Sequence, residues 1–404
     1  MKWDPKPFQS EALRFALDHT HASLWMEMGL GKTSVAATAI AYLLDRGEIG
    51  RVLIVAPKRV CASVWPSELR KWDHLQWVPC RAIVGTVKQR ARILGTPWTG
   101  VETITYDLLL WLFQNHLKPD APLPWDMVVF DESSKLKDPG TRRFRALRRY
   151  KQRFADLRVL HLTGSPSPSG LLNVWGPTLL LDQGERLGTT FGGYRSRWFA
   201  PDYMGWNFEP REGAAAQIHE RLADITLSMK AKHYLDMPPL IITDVWVDLP
   251  AECTAQYREL EREMFLQLED DTVEAANGGV LTGKCRQLAN GFLFINDGTD
   301  WTAIHEEKLQ ALDDIIEERE GRSLLIAYQF KPDLARLRKR YPRAVVYTEA
   351  KDPIALEEEW NEGKHQLMLI HPQSAGHGLN LQGGTDALAL YGVGWSLDQY
   401  EQTI

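Results

Sequence analysis

The chain has 404 residues, enough for two or three domains with cores of their own. Its 44% apolar and 25% charged residues are ordinary for a soluble globular protein, and no run of about 18 apolar residues is available to span a bilayer. A net charge of −6 argues against wholesale coating by nucleic acid but leaves room for a local basic track.

The N-terminal Met1-Lys2-Trp3-Asp4-Pro5 lacks the apolar core of a secretion signal, so a cytoplasmic or nucleoid-associated location without membrane attachment is expected. Cys61, Cys80, Cys253 and Cys285 are far apart with no C-x-x-C pair, which reads as buried free thiols in a reducing compartment and argues against a metal site. The fifteen tryptophans are read as packing residues with no assigned chemistry.

The first strong signal is residues 26–33, Met-Glu-Met-Gly-Leu-Gly-Lys-Thr. Gly29 and Gly31 free the backbone to close around phosphate oxygens, Lys32 can reach the outer phosphates, and the Thr33 hydroxyl suits Mg²⁺. Helix-forming residues follow at once, so a helix N-terminus also points at the anion. Met26 occupies the place of the pattern's first glycine, and a Gly-Lys-Thr triplet is common by chance, so the loop needs support from elsewhere in the chain.

Apolar runs then alternate with amphipathic stretches. Residues 51–56 read as a buried strand ending at Pro57, followed by a helix carrying Trp65, Leu69 and Trp72. Further strands are predicted at 103–106, 127–130 and 159–162, which is the pattern of a parallel α/β sheet. Polar motifs at the C-terminal ends of such strands are where these sheets bind ligands. Residues 170–225, rich in Trp, Gly and Arg, read as a helical insertion, and Met237-Pro238-Pro239 as a linker or turn. A second α/β series follows: a helix at 252–268, a strand at 323–328, a helix at Lys331–Arg340, and strands at 344–347, 366–370 and 387–391. The fold expected is two tandem α/β blocks, with a first domain over 1–235 and a second over 236–404.

Asp131-Glu132 closes the strand at 127–130. An ATPase needs one acid to hold Mg²⁺ and a neighbouring carboxylate to polarise the attacking water; Asp131 suits the first role and Glu132 the second. In isolation the pair reads more readily as a helix cap. Its position after an apolar strand, downstream of a phosphate loop, reverses that preference.

The order of these motifs resembles the Swi/Snf-type helicase-like ATPases, DNA translocases of helicase superfamily two with two RecA-like parallel-sheet lobes. Pro7-Phe8-Gln9 resembles the family's adenine-sensing glutamine motif, and residues 27–33 its phosphate loop. Ala56-Pro57-Lys58 with the helix from Trp65 to Trp72, and then Thr105-Tyr106-Asp107, resemble its next two motifs. Asp131-Glu132 opens its Mg²⁺ motif, and Leu162-Thr163-Gly164-Ser165-Pro166, with Asn173 and Trp175, resembles its coupling motif. In the second block, 323–330 matches the opening strand, 374–381 (Ser-Ala-Gly-His-Gly-Leu-Asn-Leu) the glycine-rich fifth motif, and 395–402 the approach to the sixth.

The resemblance implies ATP and Mg²⁺ as cofactors and double-stranded DNA as partner. Gln9, Gly29, Gly31, Lys32, Thr33 and Gly378 would bind nucleotide, with Thr33 and Asp131 on the metal. It implies contacts to the DNA backbone at Lys58, Arg59, Thr105 and Tyr106 in the first lobe and at Ser374 and Gly376 in the second. Two departures stand out. The family usually has histidine at the fourth place of the Mg²⁺ motif, where this chain has Ser133-Ser134. The sequence also stops at Glu401-Gln402-Thr403-Ile404, before the family's arginine-bearing sixth motif, so a truncated and catalytically incomplete form is expected.

The basic run at 135–153 is balanced between a solvated helix face, packed through Phe144, Leu147, Tyr150 and Phe154, and a DNA contact. His161, on an apolar strand, reads as a satisfied core histidine, and no catalysis is expected of His371 or His377. Three other functions stay open: a strand-separating DNA or RNA helicase, a nucleotide-dependent DNA-binding module without turnover, and a motor subunit working with protein partners in a larger assembly.

Overall fold

The computed structural model describes every residue except 119–120, 165, 167–169, 203–207, 236–239, 270–274, 296–299, 376–378, 380, 393, 395–399 and 401–404; the side chains of 263–269, 275–279 and 374–375 are likewise not described. The chain forms two compact units, Met1–Pro238 and Pro239–Ile404.

In the first unit, helix α1 (Pro7–Asp18) buries Phe8, Ala12 and Ala16, four residues apart on one face, and leads into strand β1 (His21–Met26). Helix α2 (Lys32–Asp45), strand β2 (Arg51–Ala56), helix α3 (Trp65–Lys71), strand β3 (Cys80–Ala82), helix α4 (Val87–Gly95) and strand β4 (Gly100–Thr105) follow. Strand β5 (Met127–Asp131), the short helices α5 (Arg142–Arg148) and α6 (Lys151–Phe154) and strand β6 (Arg158–Thr163) complete the expected series.

Helices α7 (Trp175–Asp182), α8 (Phe191–Trp198) and α9 (Ala214–Leu222) come next, with the antiparallel pair β7 (Phe199–Pro201) and β8 (Phe208–Pro210) between the last two, and then strand β9 (Thr226–Met229). The stretch expected to be a helical insertion therefore also carries a small hairpin. Leu179, Leu180 and Leu181 of α7 belong to the main core, and β9 returns to the sheet beside β1.

Seven strands make one sheet in the order β3-β4-β2-β5-β6-β1-β9, with parallel pairings throughout. Alternation along β2 shows that both faces are covered. Val52, Ile54 and Ala56 pack with α1, α2 and α3, while Leu53 and Val55 pack on the opposite face with Phe130, Phe144 and the α7 leucines. The basic run at 135–153 is two short helices rather than one, and Phe144, Leu147, Tyr150 and Phe154 are all fully buried.

The second unit contains helices α10 (Ala251–Glu269) and α11 (Ala275–Ala289), the antiparallel strands β10 (Phe292–Ile295) and β11 (Asp300–Ala303), and helix α12 (Glu307–Glu318). Strand β12 (Leu324–Ala327), helix α13 (Lys331–Arg340), strand β13 (Val345–Val346), helix α14 (Pro353–Asn361), strand β14 (Leu367–Ile370), helix α15 (Pro372–Ala375) and strand β15 (Leu388–Leu390) complete it. Its sheet runs β13-β14-β12-β15, with each pairing parallel. Helix α11 was not expected, because Gly278, Gly279 and Gly283 lower its intrinsic propensity and tertiary packing overrides them.

Candidate nucleotide site at the strand ends of the first sheet

The chain leaves β1 in a loop whose two glycines adopt left-handed backbone, Gly29 at φ 81° and Gly31 at φ 79°. Gly31 is the N-cap of α2, and its carbonyl accepts from the Val35 amide at 3.0 Å and the Ser34 hydroxyl at 3.0 Å. Gln9 leans on this loop. Its Oε1 accepts from the Lys6 amide at 3.0 Å, and its Nε2 donates to the Leu30 carbonyl at 3.2 Å. A Cβ at Gly31 would stand 2.5 Å from Gln9 Nε2, so the glycine is needed both for its backbone and for the glutamine beside it.

Two strands away, Asp131 ends β5, 3% exposed. Burial pushes its carboxyl above the usual carboxylate range; the Lys32 charge, the Trp65 indole and the Glu132 amide oppose that shift. Trp65 Nε1 donates to Asp131 Oδ2 at 2.9 Å. Glu132, partly exposed, sits at φ 57° and ψ 55°, a left-handed conformation that costs a non-glycine residue about 1–2 kcal/mol. Lys32 Nζ also lies 3.7 Å from where a side-chain carbon would stand at Gly164, just beyond β6. Residues from the ends of β1, β5 and β6 thus meet around Lys32.

Of the residues expected at DNA, Lys58 is exposed, while Arg59 and Thr105 are half-buried. Ala56 pairs with Thr105 across β2 and β4, so Lys58 and Thr105 lie at the same C-terminal end of the strands. Tyr106 differs from the expectation. Only 4% exposed, it donates its hydroxyl to the carbonyls of Asp131 at 3.0 Å and Glu132 at 3.2 Å. Its side chain braces the backbone of the acid pair and leaves little surface for a phosphate. Arg143, from the basic run, lies 5.9 Å over the Tyr106 ring. Ser374 lies in α15, its side chain outside the described residues, and Gly376, His377 and Gly378 also lie outside them.

Three features escaped the reading of the sequence. Trp65, taken as packing, is the hydrogen-bond partner of Asp131 from 66 residues away. Glu27 Oε2 accepts from the Ala231 amide at 2.7 Å, fastening the chain after β9 to the phosphate loop, where Leu235 also approaches Gly29. His161 is buried as expected, but its Nε2 has no hydrogen-bond partner among the described residues. The only local signals were a tryptophan within an otherwise amphipathic helix and a histidine within an apolar strand.

The donors present suit a hard divalent cation: a buried carboxylate at Asp131, one of whose oxygens the Trp65 indole holds, and the Thr33 hydroxyl at the start of α2. Cys61 is no soft alternative. Burial pushes its thiol up to about 12, and the thiol donates to the Ala56 and Ile104 carbonyls.

A glycine loop running into a helix N-terminus, set against a buried acid at the C-terminal ends of a parallel sheet, defines the class of P-loop nucleotide-binding folds. The SNF2-related domain matches residues 8–282, and the chain belongs to that family. It is 38% identical over 409 residues to putative protein p41 of Acyrthosiphon pisum secondary endosymbiont phage 1, covering 99% of this chain and 87% of that protein. It is 29% identical over 245 residues to the ATP-dependent helicase BRM of Arabidopsis thaliana, across 57% of this chain but only 10% of BRM. The ISWI chromatin-remodeling complex ATPase ISW1 of Saccharomyces cerevisiae is 23% identical over 408 residues, 92% of this chain and 34% of ISW1. Among solved structures, the Sulfolobus solfataricus SWI2/SNF2 ATPase core in complex with dsDNA matches with a TM-score of 0.50 at 18% identity, covering 96% of this chain and 88% of that one. That likeness establishes the fold, two RecA-like parallel sheets with their helices. Among the described residues no helix is long and apolar enough to cross a membrane.

Proposed function

We propose that this protein hydrolyses ATP and couples the hydrolysis to movement along double-stranded DNA. The observation that carries the reading is the convergence of Lys32, Asp131 and Gly164 at the ends of β1, β5 and β6, with Gln9 against Gly31. Gln9 would read the adenine edge, and the loop amides with Lys32 would hold the phosphates. When bound, Mg²⁺ would neutralise charge on the outer phosphates, held by Thr33 and Asp131. Glu132, next to Asp131 and held in left-handed backbone, would orient the attacking water and take its proton.

Lys58, Arg59 and Thr105 would meet the DNA backbone in the first unit, and Ser374 and Gly376 in the second. Gly378 would join the nucleotide site. The organisation proposed is an ATP-binding lobe over 1–235 and a second lobe from 236 onward. The family and its dsDNA-bound structural neighbour support DNA as the partner.

ATP turnover measured with and without duplex DNA tests the reading. Turnover should rise with DNA, and Lys32→Ala or Glu132→Gln should each lower it by about 10²–10⁴-fold. ATP binding without turnover in the wild type would instead identify a nucleotide-dependent DNA-binding module.

A further inference from the structure

One face of the first sheet carries a polar row within an apolar core. The register sets His161 of β6 beside Ser23 of β1 and Ser23 beside Thr226 of β9, all on the face otherwise occupied by Trp25, Phe130 and Val159. His161 is 1% exposed, and its ring stands edge-on to Phe130 at 5.1 Å and 78°, which fixes its orientation. Burial lowers its pKa to about 3, so the imidazole is neutral and one ring nitrogen is an acceptor. Its Nε2 has no hydrogen-bond partner among the described residues, and a buried polar atom left so costs about 1–3 kcal/mol.

The row ends at a small cavity against α7, lined among others by Ser23, Ser133, Ser134, His161, Thr163 and Thr178. It leaves about 10 Å³ for the centre of a water molecule, close to what a single water needs, and the lining supplies more than the two to four polar partners such a water requires. Thr178 also donates to the Val174 carbonyl at 2.8 Å. Three of the lining residues come from places that matter: Ser133 and Ser134 directly follow Asp131-Glu132, and Thr163 directly precedes Gly164, which Lys32 approaches.

We propose that His161 Nε2 holds one buried water that joins the hydroxyls of Ser133 and Ser134 to Thr163, making His161 the positioning residue that ties the acid pair to the end of β6. A neutral imidazole with a bound water transmits a shift of one strand end to the other through hydrogen bonds, where a leucine at 161 would leave the two ends to pack independently. The inference rests on the proposed ATPase reading for its consequence, but not for the water itself.

Two measurements on the full chain test it. A high-resolution crystal structure should show ordered density about 2.7–3.2 Å from His161 Nε2 and within the same reach of a Ser133, Ser134 or Thr163 hydroxyl; a cavity without such density overturns the proposal. The ratio of DNA-stimulated to DNA-free ATP turnover should fall about tenfold in His161→Leu, with the KM for ATP changed less than about twofold, and should largely recover in His161→Gln, which keeps a polar group there. Equal ratios in wild type and His161→Leu, or no difference between the two variants, overturn it. A wild type without DNA-stimulated turnover sinks the ATPase reading alone, and the crystallographic water then decides this one.

Discussion

Each unit buries a carboxylate, and the two are treated in opposite ways. Asp333, at the start of α13, is fully buried; it accepts from the Phe330 amide at 2.9 Å, the Gln329 amide at 3.3 Å and both contacts of Asn290 Nδ2 at 3.1 and 3.3 Å. Lys308 completes the surroundings, donating to Asn290 Oδ1 at 2.8 Å and to the Tyr391 carbonyl at 3.2 Å. Burial raises the Asp333 carboxyl, and four opposing interactions answer it. Asp131 is also raised by burial, but it faces an indole N–H, its neighbour's amide and the charge of Lys32. A carboxylate has about four lone-pair sites. Asp333 accepts four contacts from its own unit, three on Oδ2 and one on Oδ1, whereas the side-chain donor on Asp131 is the Trp65 indole. The difference is between an acid tied into its own unit and the acid proposed to hold Mg²⁺, although both are buried acids near a lysine.

The sharpest way to break this comparison is to neutralise each acid. Asp131→Asn should lower ATP turnover by at least about 10³-fold, while melting of the protein without ligand stays the same or moves up. Folding raises the pKa of Asp131, so its contribution to stability is present at low pH and is lost as pH rises through the folded value. The variant should therefore show a flatter pH dependence of melting above the carboxylate range. A lower melting temperature at neutral pH would place Asp131 with Asp333 as a structural group.

Asp333→Ala should do the reverse. It strands buried donors and the Lys308 ammonium, costing about 3–5 kcal/mol, which hydrogen exchange would detect as faster exchange at β12 and β14. Exchange unchanged in those strands would show that the network is not what holds this unit together.

Smaller effects sharpen the picture around Asp131. Trp65→Phe keeps the packing but removes the donor to Oδ2, and should lower turnover about tenfold, in line with about 1.5 kcal/mol for a hydrogen bond to a charged group. Activity equal to wild type would return Trp65 to packing alone. Smallest is an acid effect at His161. Its pKa falls from 6.5 to about 3 on folding, so its contribution is present above pH 6.5 and is lost as pH drops toward 3. His161→Leu should melt with less acid sensitivity across that window, read from melting temperatures between pH 6.5 and 4.

Contiguous sequence was enough to single out many residues of the candidate site. Residues 27–33 carry their chemistry in adjacent positions, and Asp131-Glu132 announces itself at the end of an apolar run, because both depend on local backbone geometry. Strands β2, β5 and β6 were legible for the same reason: a strand covered on both faces is apolar throughout. The glycine-rich helix α11 and the hairpin in the 170–225 stretch were not, since packing outweighed local preference there.

Tertiary structure alone decided who touches Asp131. Trp65 reaches it from 66 residues away and Tyr106 from 25, and neither spacing has a period that a sequence pattern could reveal. That is why Trp65 was set aside as packing and Tyr106 was expected on the DNA, when the fold uses one to hold the carboxylate and the other to brace its backbone. The sequence by itself singled out the candidate phosphate loop and the acid pair, because each is written in neighbouring residues. Parallel pairing put the strand ends on one side of the sheet, and strand order made them neighbours: β1 lies beside β6 and β6 beside β5, which brings Lys32, Gly164 and Asp131 together.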